Sequence, residues 1–360
     1  MGLLRFLLAI SVVTAHCGLL FGKIEFVGGE MAVQSFFIIS GFYMSLVLDG
    51  KYSATSNFKQ YKLFISNRLL RLYPVYWLVL CLTIIVFAIN YQSKLSNFNL
   101  LNLPALLYLI FTNIFIFFQD IILFLGINVS NGSLYFTSNF QNANPQLHHF
   151  LLIPQGWSLG IELLFYLIAP ILVKQKTKLI VWLILFSLLL RIYTYQILQL
   201  NHDPWTYRFF PTELVFFLIG IIVQRQSNTL INLGINASVL LIIIGLMTFL
   251  YAQFPSVDLY YFPFSLKSII YFGLIALSIP ILFDRFKDQT IDRKIGELSY
   301  PIYISHMFVY FVTRHPLFSQ YNSGSFVILF TIIFSMVLVK YISEPIEKLR
   351  QSRIKKPKTN

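Results

Sequence analysis

Long apolar stretches, separated by short polar segments, recur from the first residues of the chain almost to its end. As helices, stretches of about 20 such residues cross the ~30 Å hydrocarbon core of a bilayer. Hydrophobic residues make up 57% of the chain and charged residues 11%, well below the ~25% charged residues of soluble domains. We therefore expect an all-α polytopic membrane protein. No nucleic-acid-binding module is visible.

The apolar pattern predicts about ten membrane-spanning helices. Their expected ranges are 3–22, 29–48, 73–90, 158–173, 178–196, 210–224, 236–252, 263–283, 299–314 and 325–343. Most of the 27 basic residues lie in the connections that this count places on one side. Cytoplasmic loops carry the excess of Lys and Arg, so we expect both termini in the cytoplasm.

The segment 104–126 does not fit this alternation, although it is apolar and long enough to cross. A full crossing there would move the lysines that follow the fourth span to the outside. We therefore predict a re-entrant or interfacial helix at 104–126, followed by a polar, substrate-facing external loop at 128–149. The expected organisation is one membrane-embedded domain, residues 1–343, and a basic cytoplasmic tail, residues 344–360.

Two ionisable residues, Arg5 and His16, lie inside the first apolar stretch. They are eleven residues apart, so on a helix they share a face and are separated by ~16 Å along the axis. Charged groups in hydrocarbon are costly and by default mark a pathway or a site. The expected arrangement is a cation near one membrane surface and an imidazole near mid-depth. A signal peptide and a buried structural histidine are the alternatives.

Two further patterns carry charge at membrane depth or at its edge. Arg68 and Arg71, three residues apart, share a helix face and could hold phosphate oxygens, or serve only as a positive-inside anchor. Glu162 lies about one turn into the fourth span, at an expected depth close to that of His16. A Glu–His pair and a structural hydrogen bond both remain open for it. Glu213 is a weaker candidate of the same kind.

The sequence predicts no metal site. Cys17 and Cys81 both lie within apolar stretches, which gives neither a disulfide framework nor a zinc-binding spacing. His148 and His149 are adjacent, so they do not share a face, and no carboxylate lies close to them in the sequence.

Six motifs, in order along most of the chain, resemble those of the acyltransferase-3 family of integral membrane acyltransferases. They are Arg5–x10–His16, Phe36-Phe-Ile-Ile-Ser40-Gly-Phe42, Arg68-Leu-Leu-Arg71-Leu-Tyr-Pro-Val-Tyr-Trp77, Trp157-Ser158-Leu-Gly-Ile-Glu162, Ser299-Tyr300-Pro-Ile-Tyr-Ile-Ser-His306 and Glu344-Pro345. The chain departs from the family pattern at Gly160, where many members have Ser, and at Leu163-Leu164, where they often have Glu-Gln.

The resemblance implies a bacterial inner-membrane protein that transfers an acetyl group from cytoplasmic acetyl-CoA to a hydroxyl of an extracytoplasmic glycan. Such acceptors are O-antigen or lipopolysaccharide, exopolysaccharide, or a lipid-linked sugar. It implies His16 as general base with Glu162 beside it, and Arg5, Arg68 and Arg71 as the donor-binding residues. Ser40, Trp157, Ser158, Tyr300 and His306 are candidates for an acceptor or structural site.

Two alternatives stay open. An acyl-histidine intermediate would replace direct transfer without changing the residues involved. A proton-coupled transporter or a flippase for a lipid-linked sugar would use buried Arg, His and Glu as a proton relay. The absence of an evident internal repeat in the sequence weighs against a transporter.

Overall fold

The structure, a computed structural model, describes all residues except 51, 53–57, 260–261, 316, 319–322 and 354–360. The described residues form helices joined by loops, with one small antiparallel hairpin of β1 (Leu125–Asn128) and β2 (Ser133–Phe136). The helices are α1 (Gly2–Cys17), α2 (Gly29–Gly50), α3 (Phe58–Asn90), α4 (Gln92–Ser96), α5 (Leu103–Phe115), α6 (Trp157–Leu172), α7 (Thr177–Ile192), α8 (Phe210–Arg225), α9 (Ser227–Ile231), α10 (Ala237–Leu250), α11 (Leu266–Phe286), α12 (Thr290–Thr313), α13 (Gly324–Leu338) and α14 (Glu344–Ser352). The all-α prediction is confirmed.

Within the described residues, six helical segments are long and apolar enough to cross a membrane. They are Gly29–Gly50, Phe58–Asn90, Pro154–Leu172, Thr177–Ile197, Leu266–Phe286 and Gly324–Ser352. The apolar helices Gly2–Cys17, Leu103–Phe115 and Ala237–Gln253 are shorter. The structure therefore supports a multi-pass protein, and the count of ten stays a prediction.

The helix α3 is much longer than expected. The apolar pattern placed its start at residue 73, but the helix begins at Phe58 and runs for 33 residues, with Pro74 inside it. Arg68 and Arg71 therefore belong to the same rigid helix as the apolar residues after Pro74. Hydrophobic periodicity missed this start because the first four turns of α3 mix charged and polar residues with apolar ones.

The segment 104–126 is not a single helix. α5 has 13 residues, about 20 Å, which is too short to cross a bilayer. It ends where Ile116 and Phe118 adopt positive φ angles of 66° and 62°, and the chain then turns back.

Hydrogen bonds show where the two ends of this segment lie. The Asn102 N–H, just before α5, donates to the Gly132 carbonyl in the β1–β2 turn at 3.0 Å. At the other end of α5, the Tyr76 hydroxyl of α3 donates to the Asn113 carbonyl at 2.5 Å. The chain thus runs to α3, reverses beside it and returns towards the hairpin, with most of the α5 side chains exposed. Whether this segment is re-entrant or interfacial stays a prediction.

The helices that build the site approach one another closely. The carboxylate of Asp292 in α12 accepts hydrogen bonds from the Gly2 N–H at 2.6 Å and the Leu3 N–H at 3.0 Å, so it caps the start of α1. A Cβ atom at Gly41 of α2 or at Gly220 of α8 would overlap the backbone of the facing helix. Small residues allow this backbone contact between membrane helices.

Candidate active site

His16 lies in the last turn of α1. The helix ends at Cys17, and Gly18 follows with a φ of 103°, a conformation that glycine adopts readily. The predicted extension to residue 22 is wrong, because Leu19, Leu20 and Phe21 are as apolar as the helix although they lie outside it. His16 is therefore ~21 Å along the axis from Gly2, in the last turn of the helix, and its depth in the membrane stays a prediction.

The imidazole of His16 is exposed and stacks on that of His306 in α12. The ring centroids are 5.5 Å apart and the planes are inclined by 13°. His306 is fully buried, its Nδ1 lies 2.7 Å from the Tyr303 carbonyl oxygen, and its Nε2 has no hydrogen-bond partner among the described residues. We call this pair of rings the histidine end of the site.

Glu162 does not lie beside His16. Its Oε1 accepts hydrogen bonds from the Ser40 hydroxyl at 2.7 Å and the Tyr166 hydroxyl at 2.5 Å, and no hydrogen bond between described residues joins it to His16. The first residue of α2, Gly29, is next to the His16 ring, and Ser40 is eleven residues further on, ~16 Å along α2. The expected equal depth of Glu162 and His16 is therefore wrong. It assumed that both helices began at a membrane surface and that α1 was longer.

A cavity that is open to solvent lies between α1, α2, α3, α6 and α12. Six of the residues singled out in the sequence line it: Arg5, Ser40, Arg71, Ser158, Glu162 and Tyr300. We call the part around Arg5 and Arg71 the arginine end. His16, Trp157, Arg68 and His306 lie outside the lining of this cavity.

Tyr303 connects the cavity to the histidine end. Its ring lines the cavity and lies 6.1 Å from the ring of His306, centroid to centroid. Its hydroxyl is 2.5 Å from the Ser158 hydroxyl and donates to the Gln155 carbonyl at 3.1 Å. Only the Tyr303 and His306 rings lie between the cavity and His16 in this chain of contacts. The cavity thus ends at Tyr303, and the buried His306 ring lies between Tyr303 and His16.

The three arginines proposed to hold the donor have no carboxylate partner among the described residues. Arg5 lies over the Tyr43 ring at 6.0 Å, and Arg68 over the Phe64 ring at 5.7 Å. Arg68 is 4% exposed and its Nε has no hydrogen-bond partner. Arg71 is exposed at the edge of the cavity. Burying a guanidinium without a counter-charge is costly, and among these three arginines Arg68 is the one so placed.

Other arginines of the chain show the contrast. Arg191 forms an ion pair with Glu213, both of them buried, and Arg208 donates from its Nε to Asp203 at 2.6 Å. Glu213, the weaker candidate of the sequence analysis, therefore has a local partner that accounts for its burial.

The loop before α8 covers the outer side of α6 near the histidine end. The guanidinium of Arg208 lies 4.3 Å from the centre of the Trp157 ring, and the Tyr207 ring meets Trp157 edge to face at 5.5 Å. Trp157 is 6% exposed, so it is a wall of this region rather than a free surface.

No group of three or more His, Cys, Asp or Glu side chains among the described residues could hold a metal ion. His148 and His149 contact each other in the loop before α6, with ring centroids 4.2 Å apart. Burial lowers the pKa of His148 to about 4, so this imidazole is neutral at physiological pH.

Sequence reasoning missed the three tyrosines that complete the cavity. Tyr166 is four residues after Glu162 and Tyr43 is three after Ser40, so helical spacing alone places each on the face of a named residue. Tyr303 stands inside a quoted motif between Tyr300 and His306. The signal was present, but a tyrosine in an apolar stretch is more often part of a core.

Comparison with known proteins gives one family. The model of the acyltransferase-3 family, described as an acyltransferase domain, matches residues 1–344. An uncharacterized protein from Aquifex aeolicus (strain VF5) is 28% identical over 209 residues, which cover 55% of this chain and 89% of that protein. No solved structure matches.

Proposed function

Because the chain belongs to the acyltransferase-3 family, we propose that it moves an acetyl group from cytoplasmic acetyl-CoA to a hydroxyl of an extracytoplasmic cell-surface glycan. Family membership and the apolar helices make it a multi-pass membrane acyltransferase with an acyl donor and an acceptor. Our proposal adds the identity of the donor, the acceptor and the general base.

One observation carries the proposal. A single cavity has guanidinium groups without an ion-pair partner at one end, and the rings of Tyr303 and His306 join its other end to an exposed histidine. Acetyl-CoA is a polyanion whose thioester sits at the end of a long, flexible arm. Its phosphates suit the arginine end, where planar guanidinium groups bind phosphate oxygens well, and its arm suits the cavity.

The reaction assigned to the histidine end is a direct transfer. His16, neutral, takes the proton of the acceptor hydroxyl while that oxygen attacks the thioester carbonyl carbon. The new C–O bond gives a tetrahedral oxyanion, the C–S bond then breaks, and the leaving thiolate takes the proton back from the imidazolium. A positioned base of this kind contributes ~10²–10⁴-fold in rate.

The other members of the site act through position. Glu162 accepts hydrogen bonds from the Ser40 and Tyr166 hydroxyls and, like Arg5, lines the cavity. In our proposal it shapes the path of the donor arm instead of orienting His16. His306 supports the His16 ring from behind. Trp157, Arg208 and Asp203 border the region through which an acceptor reaches His16.

The distribution of basic residues supports the proposed orientation. It favours a cytoplasmic arginine end, which faces the pool of acyl-CoA, and a histidine end that faces outwards. Donor and acceptor then approach from opposite sides and meet near His16.

Mass spectrometry of surface glycan from cells with and without the protein tests the proposal. We expect acetylated glycan with the parent protein and unmodified glycan with an equally expressed His16→Ala variant. Glycan that is exported only when the protein is present, but carries no acetyl groups, would replace the proposal with a transporter or flippase.

A further inference from the structure

The C-terminal helix does not hang free as a tail. α13 continues through a π-helical turn, Val339–Ser343, directly into α14, and α14 lies against α3. The Arg350 Nε donates to the Asn67 carbonyl at 2.8 Å. Arg353, just past the end of α14, donates from Nη1 to the Asn67 Oδ1 at 3.0 Å and from Nη2 to the Ser66 hydroxyl at 2.9 Å.

Asn67 is the point at which these contacts meet. It is fully buried, and its Nδ2 donates to the Tyr52 hydroxyl at 2.8 Å. It precedes Arg68 directly and lies four residues before Arg71, so Asn67 and Arg71 share a face of α3. The contacts of Arg350 and Arg353 therefore fall within one helical turn of both arginines of the donor motif.

The charges of the two C-terminal arginines are balanced differently. Arg350 is 7% exposed and forms an ion pair with Glu347 on its own helix. Arg353 contacts only neutral acceptors, Asn67 and Ser66, and no carboxylate among the described residues pairs with it. Two of its five N–H donors are used in these bonds. Its charge and its remaining donors are free for an anion.

We propose that Arg353 extends the phosphate-binding site of Arg68 and Arg71, because the docking of α14 on α3 holds it against Ser66 and Asn67, the residues that directly precede this motif. Arg350, whose charge Glu347 balances, is a positioning residue that fixes α14. This inference rests on the proposed function, since it takes the phosphate groups of the acyl donor as the ligand. Clustered guanidinium groups repel one another and stay together at lower cost when an anion lies between them.

The test measures the Kd of CoA for the full-length protein in nanodiscs of neutral lipid. We expect Arg353→Gln to weaken binding about tenfold, the effect of losing one charge-assisted contact. Arg353→Lys keeps the charge and should recover most of the affinity. Lys348→Gln removes one charge from an exposed position of the same helix and should leave the Kd unchanged.

Two results would overturn the inference. If Arg353→Lys is as weak as Arg353→Gln, charge is not what the residue supplies, and Arg353 only packs α14 against α3. If Arg353→Gln binds CoA like the parent but loses labelling by a photoreactive anionic lipid, its phosphate ligand is a lipid headgroup.

The proposed function fails differently. It fails if the parent protein does not bind CoA, or if Arg71→Gln binds it equally well. Loss of binding in Arg71→Gln with full binding in Arg353→Gln removes only the role of Arg353.

Discussion

The imidazole of His16 lies parallel to that of His306, with 5.5 Å between ring centroids. One ring is exposed and the other is fully buried, so the buried ring forms the back wall of the exposed one. A histidine that acts as a general base needs a ring that is fixed and that the substrate can reach. The stack on His306 fixes the His16 ring, and its exposure makes it accessible.

His306 is therefore expected to act through His16. His306→Ala should lower kcat about 10-fold or more, because the His16 ring loses its support. His306→Phe restores a flat ring and should recover most of the rate. Steady-state kinetics with both variants measures this, and equal losses in Ala and Phe would assign a chemical role to the His306 nitrogens.

His16→Ala should lower acyl transfer by at least ~10²-fold, because the reaction loses its general base. No other described side chain at the histidine end stacks with His306 in its place. Its Kd for CoA should stay unchanged, since the donor phosphates bind at the other end of the cavity. Measuring both quantities on the purified protein separates the two roles. Transfer at the parental rate would remove His16 from the mechanism.

Arg71→Lys is expected to bind CoA more weakly than the parent but more tightly than Arg71→Gln. Lysine keeps the charge and loses the planar, two-pronged geometry that suits phosphate. Calorimetric titration of CoA into each variant gives the order. If the Lys variant matches the parent, Arg71 is an ordinary positive-inside anchor.

Glu162→Ala should reduce stability by about 1–3 kcal/mol, because the Ser40 and Tyr166 hydroxyls would lose their shared acceptor. Glu162→Gln keeps an acceptor oxygen in place and should cost less. Thermal unfolding in detergent compares the two variants. A Gln variant as unstable as the Ala variant would show that the negative charge, and not the acceptor, is what stabilises this region.

Ser138→Cys should react with a membrane-impermeant thiol reagent in intact cells, whereas Gln289→Cys should react only after the membrane is opened. Both positions are exposed, and the distribution of basic residues places them on opposite sides. Replacing the native Cys17 and Cys81 first keeps the background low. The reverse labelling pattern would place the arginine end outside the cell.

The motifs were readable in the sequence because each depends on spacing within one helix. Arg5 with His16, and Arg68 with Arg71, need only the regular rise and turn of a helix to share a face. The end of α1 was not readable, since Leu19 to Phe21 continue its apolar pattern beyond the glycine that stops it. The partners of Glu162 were not readable either, because they depend on how far α6 lies along α2, which no single helix determines.

The contacts of α14 could not be predicted from the sequence either. Arg350 and Arg353 belong to a strongly basic C-terminal segment, and composition alone describes such a segment as a solvated tail. Their bonds to Asn67 join residues more than 280 positions apart in the chain. Only the packing of α14 and of the turn Val339–Ser343 against α3 brings them together.

The helix α12 holds α1 at both ends: Asp292 binds the backbone at Gly2, and His306 stacks on His16. Gly2 and His16 are fourteen residues apart, and so are Asp292 and His306. The two helices therefore run side by side in the same direction and in register, with ~21 Å of helix between the two contacts. The distance from the arginines to the base is thus fixed, because it cannot increase without breaking either the Asp292 contact or the His306 stack. Donors with a shortened arm are therefore expected to occupy the site and compete with acetyl-CoA, yet to leave their acyl group untransferred.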